Sequence, residues 1–158
     1  MAMTYLEKFE TSASILEIGC GVGQFAGMLF DYGFTNYVGF DYSTEAVKRA
    51  KQSNGMLADR FFVADAFETE LLEKPYDLVI CFEVLEHLNK DRELLGRICS
   101  GQRLLLSVPN FDSDYHVRYF CNEAEIQARY GQIIKIDDIK LSMLSDDCWL
   151  YYIWGEKL

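Results

Sequence analysis

The sequence predicts an α/β fold: a mostly parallel, seven-stranded sheet with helices on both faces and an antiparallel hairpin strand at the C-terminus. Three observations predict it. From residue 13 to about residue 131, short apolar runs alternate with helix-length amphipathic runs, the order of repeated strand–helix units. The first strand runs into a glycine-rich turn, Gly19-Cys20-Gly21-Val22-Gly23, which opens a helix. Two β-rich runs, 133–144 and 148–154, close the chain, with Ser145-Asp146-Asp147 between them as a turn. At 158 residues the chain reads as one domain, 1–158, with a minimal lead over 1–12.

The elements follow in order. Residues 13–18 form an apolar strand with Glu17 near its end. A helix from about 23 to 32 buries Phe25, Met28 and Leu29 and stops at Gly33, a natural helix-terminating residue. Residues 36–41 are a second strand ending in Asp41. Ser43 or Thr44 then caps a helix through Ala46, Val47 and Ala50, ending near Asn54-Gly55. Residues 60–66 are a third strand that carries Asp65. The near-continuous apolar run 75–82 is the central strand, covered on both faces, with Pro75 tolerated ahead of it. After the segment Glu83-Val84-Leu85-Glu86-His87-Leu88, Asn89 and Asp91 act as turn or cap residues. They lead a helix through Leu94, Leu95, Ile98 and Cys99 that Gly101 stops. Residues 103–108 are a buried strand ended by Pro109-Asn110. A polar and aromatic loop, 111–120, precedes a helix capped by Asn122 and stopped by Gly131.

Composition narrows the function. Half of the residues are hydrophobic and 15% aromatic, which excludes disorder. No run is long enough to span a membrane, and the N-terminus lacks the basic-then-apolar order of a signal peptide. The five cysteines are scattered and never form a C-x-x-C pair, so they read as reduced thiols of a cytoplasmic protein. A formal net charge of −10 makes a nucleic acid an unlikely partner, because neutralising phosphates takes clusters of Lys and Arg.

The glycine turn carries the chemistry. Gly21-Val22-Gly23-Gln24-Phe25-Ala26 satisfies the dinucleotide pattern G-x-G-x-x-G/A. A pyrophosphate, however, would set its charge beside Glu17, with no Lys or Arg in the turn to offset it. An acidic strand end suits a ligand with positive charge near the loop. The stretch Glu17-Ile18-Gly19-Cys20-Gly21-Val22-Gly23 resembles the E/D-x-G-x-G-x-G motif of class I S-adenosylmethionine (SAM)-dependent methyltransferases. That resemblance covers nearly the whole chain and implies a Rossmann-like class I methyltransferase fold. It implies SAM as cofactor and S-adenosylhomocysteine (SAH) as product, held by Glu17, Gly19, Cys20, Gly21 and Gly23. Asp41 stands about 20 residues past the turn, where an acid bonds a ribose hydroxyl pair, with Tyr42 beside it. By the same resemblance Asp65 receives the adenine amino group and the Ala66 N–H reads a ring nitrogen. Phe82 and Glu83 line the methionine end. Glu17 and Asp65 argue against a nicotinamide-dependent oxidoreductase.

Glu83-Val84-Leu85-Glu86-His87 resembles the corresponding segment of small-molecule O- and N-methyltransferases, including those of ubiquinone biosynthesis. A helix starting at Glu83 would put Glu83, Glu86 and His87 on one face. His87 is the candidate general base, with Glu83 beside it as the second candidate catalytic residue; a purely structural His87 is the alternative. No metal is expected. The alternative is a divalent cation on Glu83, Glu86, His87 and His116, a set resembling that of metal-dependent small-RNA 2′-O-methyltransferases, although the acidic balance weighs against RNA. His116 and Arg118 either meet the acceptor or are solvated. Trp149, Tyr151, Tyr152 and Trp154 read as core, and Cys20 has no neighbouring base to make it a nucleophile. The expected function is methyl transfer to O or N of a small molecule. The short lead leaves three alternatives for the acceptor mouth: open, completed by a second copy or a partner subunit, or a chain that is a piece of a longer protein. The rival function is a non-catalytic SAM-binding scaffold subunit.

Overall fold

The computed structural model describes residues 2–158. Seven strands form one sheet in the order β3-β2-β1-β4-β5-β7-β6. They are β1 (Ile15–Ile18), β2 (Tyr37–Asp41), β3 (Phe61–Val63), β4 (Leu78–Cys81), β5 (Arg103–Pro109), β6 (Ile134–Met143) and β7 (Trp149–Lys157). The first five are parallel neighbours, whereas β7 runs antiparallel to both β5 and β6. The predicted fold class is the observed one.

Helices cover both faces. Helices α1 (Met3–Leu6), α2 (Gln24–Asp31) and α3 (Thr44–Ser53) pack on the face that holds Ile15, Tyr37, Ile80 and Leu105. Helices α4 (Asp91–Gly96) and α5 (Glu123–Tyr130) cover Leu16, Ile18, Val79 and Leu106 on the other. Strands β1 and β4 are therefore buried throughout, which explains the unbroken apolar sequence of β4 and that of β1 apart from Glu17. Ser43 caps α3 by accepting from the Ala46 N–H, and Asn122 caps α5 by accepting from the Glu125 N–H. Gly33 leaves α2 at φ +89°, a left-handed conformation that glycine adopts freely.

Two local expectations need correction. Asp91 is no cap: Lys90 precedes α4 without a side-chain cap, and α4 ends at Gly96. The Asp91 carboxylate is instead buried, with Arg129 Nε and Nη2 at 2.7 and 2.6 Å, the Tyr130 hydroxyl at 2.7 Å and Arg118 at 3.2 Å. Burial alone would raise its pKa. The bonds from Arg129 and Tyr130, with the charges of both arginines, hold it below the usual carboxylate range. The segment after β4 also fails to start a helix at Glu83. It makes only a short 3₁₀ turn at Leu85–His87. Among the described residues no helix is long and apolar enough to cross a membrane.

The strand order reverses direction between β1 and β4. Ligands of open α/β sheets bind in the crevice at the carboxyl ends of the strands that flank such a switch. The glycine turn after β1 and the 82–88 segment after β4 meet there.

Candidate active site

The turn is built on glycine conformations. Gly19, Gly21 and Gly23 have φ of +72°, +52° and +79°. A Cβ on Gly19 would lie 2.3 Å from Val84 Cγ2, so that glycine lets the post-β4 segment pack against the turn. Gly21 differs: nothing lies within 4 Å of where its Cβ would be. Its backbone borders open space at the head of the crevice, a cradle for a ligand that must approach the main chain closely. Asn54, beyond α3, steadies the turn by donating from Nδ2 to the Gly23 and Ala50 carbonyls, both at 3.0 Å. Sequence reasoning read Asn54 only as a helix end.

Glu17 does not reach into the cradle. It is buried on the α2 side of β1 and accepts a hydrogen bond from the Tyr37 hydroxyl. Burial pushes its carboxyl up to about 8, with the Asp41 charge adding and the Tyr37 bond opposing. Gly39 is paired with Glu17, and a Cβ there would lie 2.1 Å from the Tyr37 oxygen, so the glycine makes room for the pair. A glycine inside a strand pattern was the available signal for this missed partner. Cys20, beneath the same turn, has its thiol pushed up by burial, then by Glu17 and Asp41. It remains a neutral thiol.

Asp41 ends β2 beside the turn. Its Oδ2 accepts from the Gly21 N–H at 3.0 Å and its Oδ1 from the Ser43 N–H at 2.8 Å. The predicted ribose acid is thus bonded to the glycine predicted to face the cofactor. Tyr42 follows it, 85% exposed. Asp65, exposed after β3, accepts from the Phe67 N–H at 2.7 Å. Arg97 donates to the Ala66 and Thr69 carbonyls at 2.7 Å each, which fixes the Ala66 peptide.

At the other half of the crevice, Glu83 is the one non-glycine residue at positive φ (+53°) among the described residues. Ser107 on β5 holds it there: the hydroxyl accepts from the Glu83 N–H at 2.9 Å and donates to Glu83 Oε1 at 2.6 Å. Phe82 stands between Phe25 and Tyr152, with ring centroids 5.0 and 5.4 Å away. The Tyr152 phenol is raised by burial and then by the field of Glu83. Tyr151 and Trp154 are core as expected, but Tyr152 belongs to the edge of the site.

The turn at Glu83 also undoes the expected shared face. Glu83 leaves the group, and Glu86, His87 and His116 come together instead. The loop after β5 is docked on this segment. The Val117 N–H donates to the Glu86 carbonyl at 2.8 Å, and Arg118 donates to the Leu85 and Leu88 carbonyls. Arg118 is therefore structural, neither solvated nor free for an acceptor.

Known proteins show the family to which this chain belongs and the likeness of its fold. The model of a family described as "Methyltransferase domain" matches residues 2–143. The chain belongs to that methyltransferase family, whose cofactor is S-adenosylmethionine. An uncharacterised protein of Methanocaldococcus jannaschii is 33% identical over 113 residues, 68% of this chain and 47% of that protein. The mitochondrial ubiquinone biosynthesis O-methyltransferase of Candida albicans is 34% identical over 112 residues, 65% of this chain and 34% of that enzyme. The chain thus spans between a third and a half of the length of these curated relatives. Among solved structures, the SAH-bound magnesium protoporphyrin IX methyltransferase of Synechocystis PCC 6803 has a TM-score of 0.77 at 20% identity. The match covers 99% of this chain and 80% of that one, a likeness of fold.

Proposed function

We propose that this protein transfers a methyl group from S-adenosylmethionine to an oxygen or nitrogen of a small-molecule acceptor. The observation that carries this is the open backbone at Gly21, tied to Asp41 at the switch point of the sheet. The residues there fit the cofactor. The turn is free of cations, backbone can approach closely, and acids stand at the ends of β2 and just past β3. The chemistry the cofactor supplies when bound is an electrophilic methyl on a positively charged sulfur.

Each residue has a proposed part. Asp41 receives the ribose hydroxyls with Tyr42 beside it, Asp65 and Ala66 meet the adenine, and Gly19, Cys20, Gly21 and Gly23 form the cradle. Glu17 acts from below as a support of the turn. Phe82 and Glu83 border the methionine end, with Glu83 fixed by Ser107. His87 is the proton acceptor: its Nδ1 faces the Tyr115 carbonyl at 3.0 Å and so carries the hydrogen, leaving a lone pair on Nε2. Similar proteins are named as an O-methyltransferase of ubiquinone biosynthesis and a magnesium protoporphyrin IX methyltransferase, and they support a small hydroxylated or carboxylated acceptor here. Five free cysteines suit a reducing, cytoplasmic setting. The 1–158 chain is proposed to act as a single cofactor-binding domain, with a second copy or partner completing the acceptor mouth where one is needed.

Calorimetric titration with SAH, beside NADH, tests the cofactor. Micromolar SAH binding with none for NADH is expected, followed by methyl transfer from labelled SAM across a panel of phenols, carboxylates and amines. NADH binding in place of SAH would overturn the reading.

A further inference from the structure

Glu86 is fully buried, yet neither carboxylate oxygen has a hydrogen-bond partner among the described residues. An ionisable group removed from water without a partner is costly, so such a group calls for an explanation. Its neighbours supply one. One ligand atom from each of Glu86, His87 and His116 lies within 4.8 Å of the other two. Both imidazoles are held the same way: His87 Nδ1 meets the Tyr115 carbonyl at 3.0 Å, and His116 Nδ1 meets the Phe111 carbonyl at 3.1 Å. A carbonyl only accepts, so each Nδ1 carries the hydrogen and each Nε2 keeps a lone pair. Backbone carbonyls that fix the tautomer and orientation of histidines are the usual outer support of metal-ligating imidazoles. The cluster therefore sets two imidazoles, each with one lone pair left, beside a buried carboxyl group that has no partner among the described residues. Arg118 nearby is already engaged with Asp91 and two carbonyls.

We propose that Glu86, His87 and His116 form a binding site for one divalent cation of borderline hardness, such as zinc. Two nitrogens and one oxygen match that class better than magnesium or calcium, which favour all-oxygen sets. Metal–ligand bonds of about 2.1 Å set tetrahedral ligand atoms about 3.4 Å apart. The ion would draw the three groups together by no more than about 1.4 Å, within reach of side-chain rotation. Glu83, bonded to Ser107, is outside the set. Three protein ligands leave a position open for an exogenous oxygen, the arrangement of catalytic rather than structural sites. On the methyltransferase reading above, on which this step alone rests, that oxygen is an acceptor hydroxyl. A bound ion would lower the pKa of that hydroxyl so that its proton passes to water; in the ion-bound protein His87 would then serve as a ligand, and its proton-acceptor role given above belongs to the ion-free protein.

The test uses the whole chain, stripped with chelator and first titrated with SAH. Cobalt(II) is then added and its visible absorption followed, with zinc binding measured by calorimetry. One ion per chain, at micromolar affinity or tighter, is expected. Glu86→Gln and His116→Ala should each weaken it at least about 10-fold while keeping the melting temperature within a few degrees. The chain has only two histidines, so the imidazole NMR signals belong to His87 and His116 alone, and both should shift on adding zinc. A protein that binds SAH but takes up no ion, or takes one up equally well in both variants, overturns the proposal. Ion binding of the expected stoichiometry without SAH binding would leave the site standing and sink the cofactor reading.

Discussion

The two halves of the crevice are built differently. At the glycine turn each acid has a partner: Glu17 has Tyr37, Asp41 has the Gly21 and Ser43 N–H groups, and Asp65 has the Phe67 N–H. At the post-β4 half, Glu83 sits in a left-handed conformation and Glu86 lies buried without a partner. The acids of the first half are satisfied in advance, by the Tyr37 hydroxyl and by backbone N–H groups. The second holds strain and unmatched acceptors, which persist only where surrounding structure imposes them and function uses them. On the proposed reading, preorganisation marks the cofactor half and incompleteness the acceptor half.

The largest expected effect probes the buried acid of the preorganised half. Glu17, with its carboxyl at about 8 against an ordinary 4.5, keeps a proton when folded that the unfolded chain releases between those values. Its contribution to stability is full below pH 4.5 and declines as pH rises to about 8, by at most about 5 kcal/mol. Glu17→Gln should flatten this decline in urea unfolding measured from pH 5 to 8. An unchanged slope would mean that Glu17 is ionised when folded and available to a cationic ligand after all.

Next comes Asp91, beneath the acceptor half. Asp91→Asn strips Arg118 and Arg129 of their shared counter-charge, at an expected cost of about 3 kcal/mol, the low end for a broken buried pair because Arg129 is a third exposed. Unfolding midpoints should drop accordingly while SAH affinity in the folded protein changes less than about threefold, since nothing at the turn is touched. A large loss of SAH affinity would mean that the two halves are coupled rather than separate. Asp41→Ala reverses the pattern. It removes charge-assisted bonds at the turn, so SAH affinity should fall 10- to 100-fold, about 1.5 to 3 kcal/mol, with little change in melting temperature. Equal loss in both measurements would make Asp41 a structural acid.

The same division decides what was legible in the sequence. The turn half was readable because its determinants are local. The glycines act on their own backbone and Ser43 caps α3 three residues on, while Asp41, although it bonds Gly21 across 20 residues, stands at a fixed offset from the turn that the strand–helix–strand unit imposes. The acceptor half was not, because its geometry is set from a distance. Helical spacing grouped Glu83 with Glu86 and His87. The hydroxyl of Ser107, 24 residues away on β5, instead holds Glu83 at φ +53° and turns the chain before the 3₁₀ turn begins. Asp91 looked like a cap because its arginine partner on α5 lies 38 residues downstream. His116 was nominated only through a resemblance, as the further histidine of a metal set, and the docking of its loop through Val117 and Arg118 is what brings it to Glu86.

The smallest expected effect tests the hinge between the halves. Ser107 is fully buried and offers one hydroxyl to both the backbone and the carboxylate of Glu83. Ser107→Ala would leave the Glu83 N–H unbonded and its left-handed backbone unsupported, at a cost of about 1 kcal/mol in stability. The turn and Asp41 are untouched, so SAH affinity should hold within about twofold. If Glu83 borders the reacting methyl, the loss should instead appear in turnover: kcat falls roughly 10-fold while KM for the cofactor stays constant, as for a misplaced positioning group. A variant with unchanged kcat would remove Glu83 from the chemistry and leave its strained conformation as a device for shaping the chain ahead of Glu86. The acceptor half would then depend on Glu86, His87 and His116 alone.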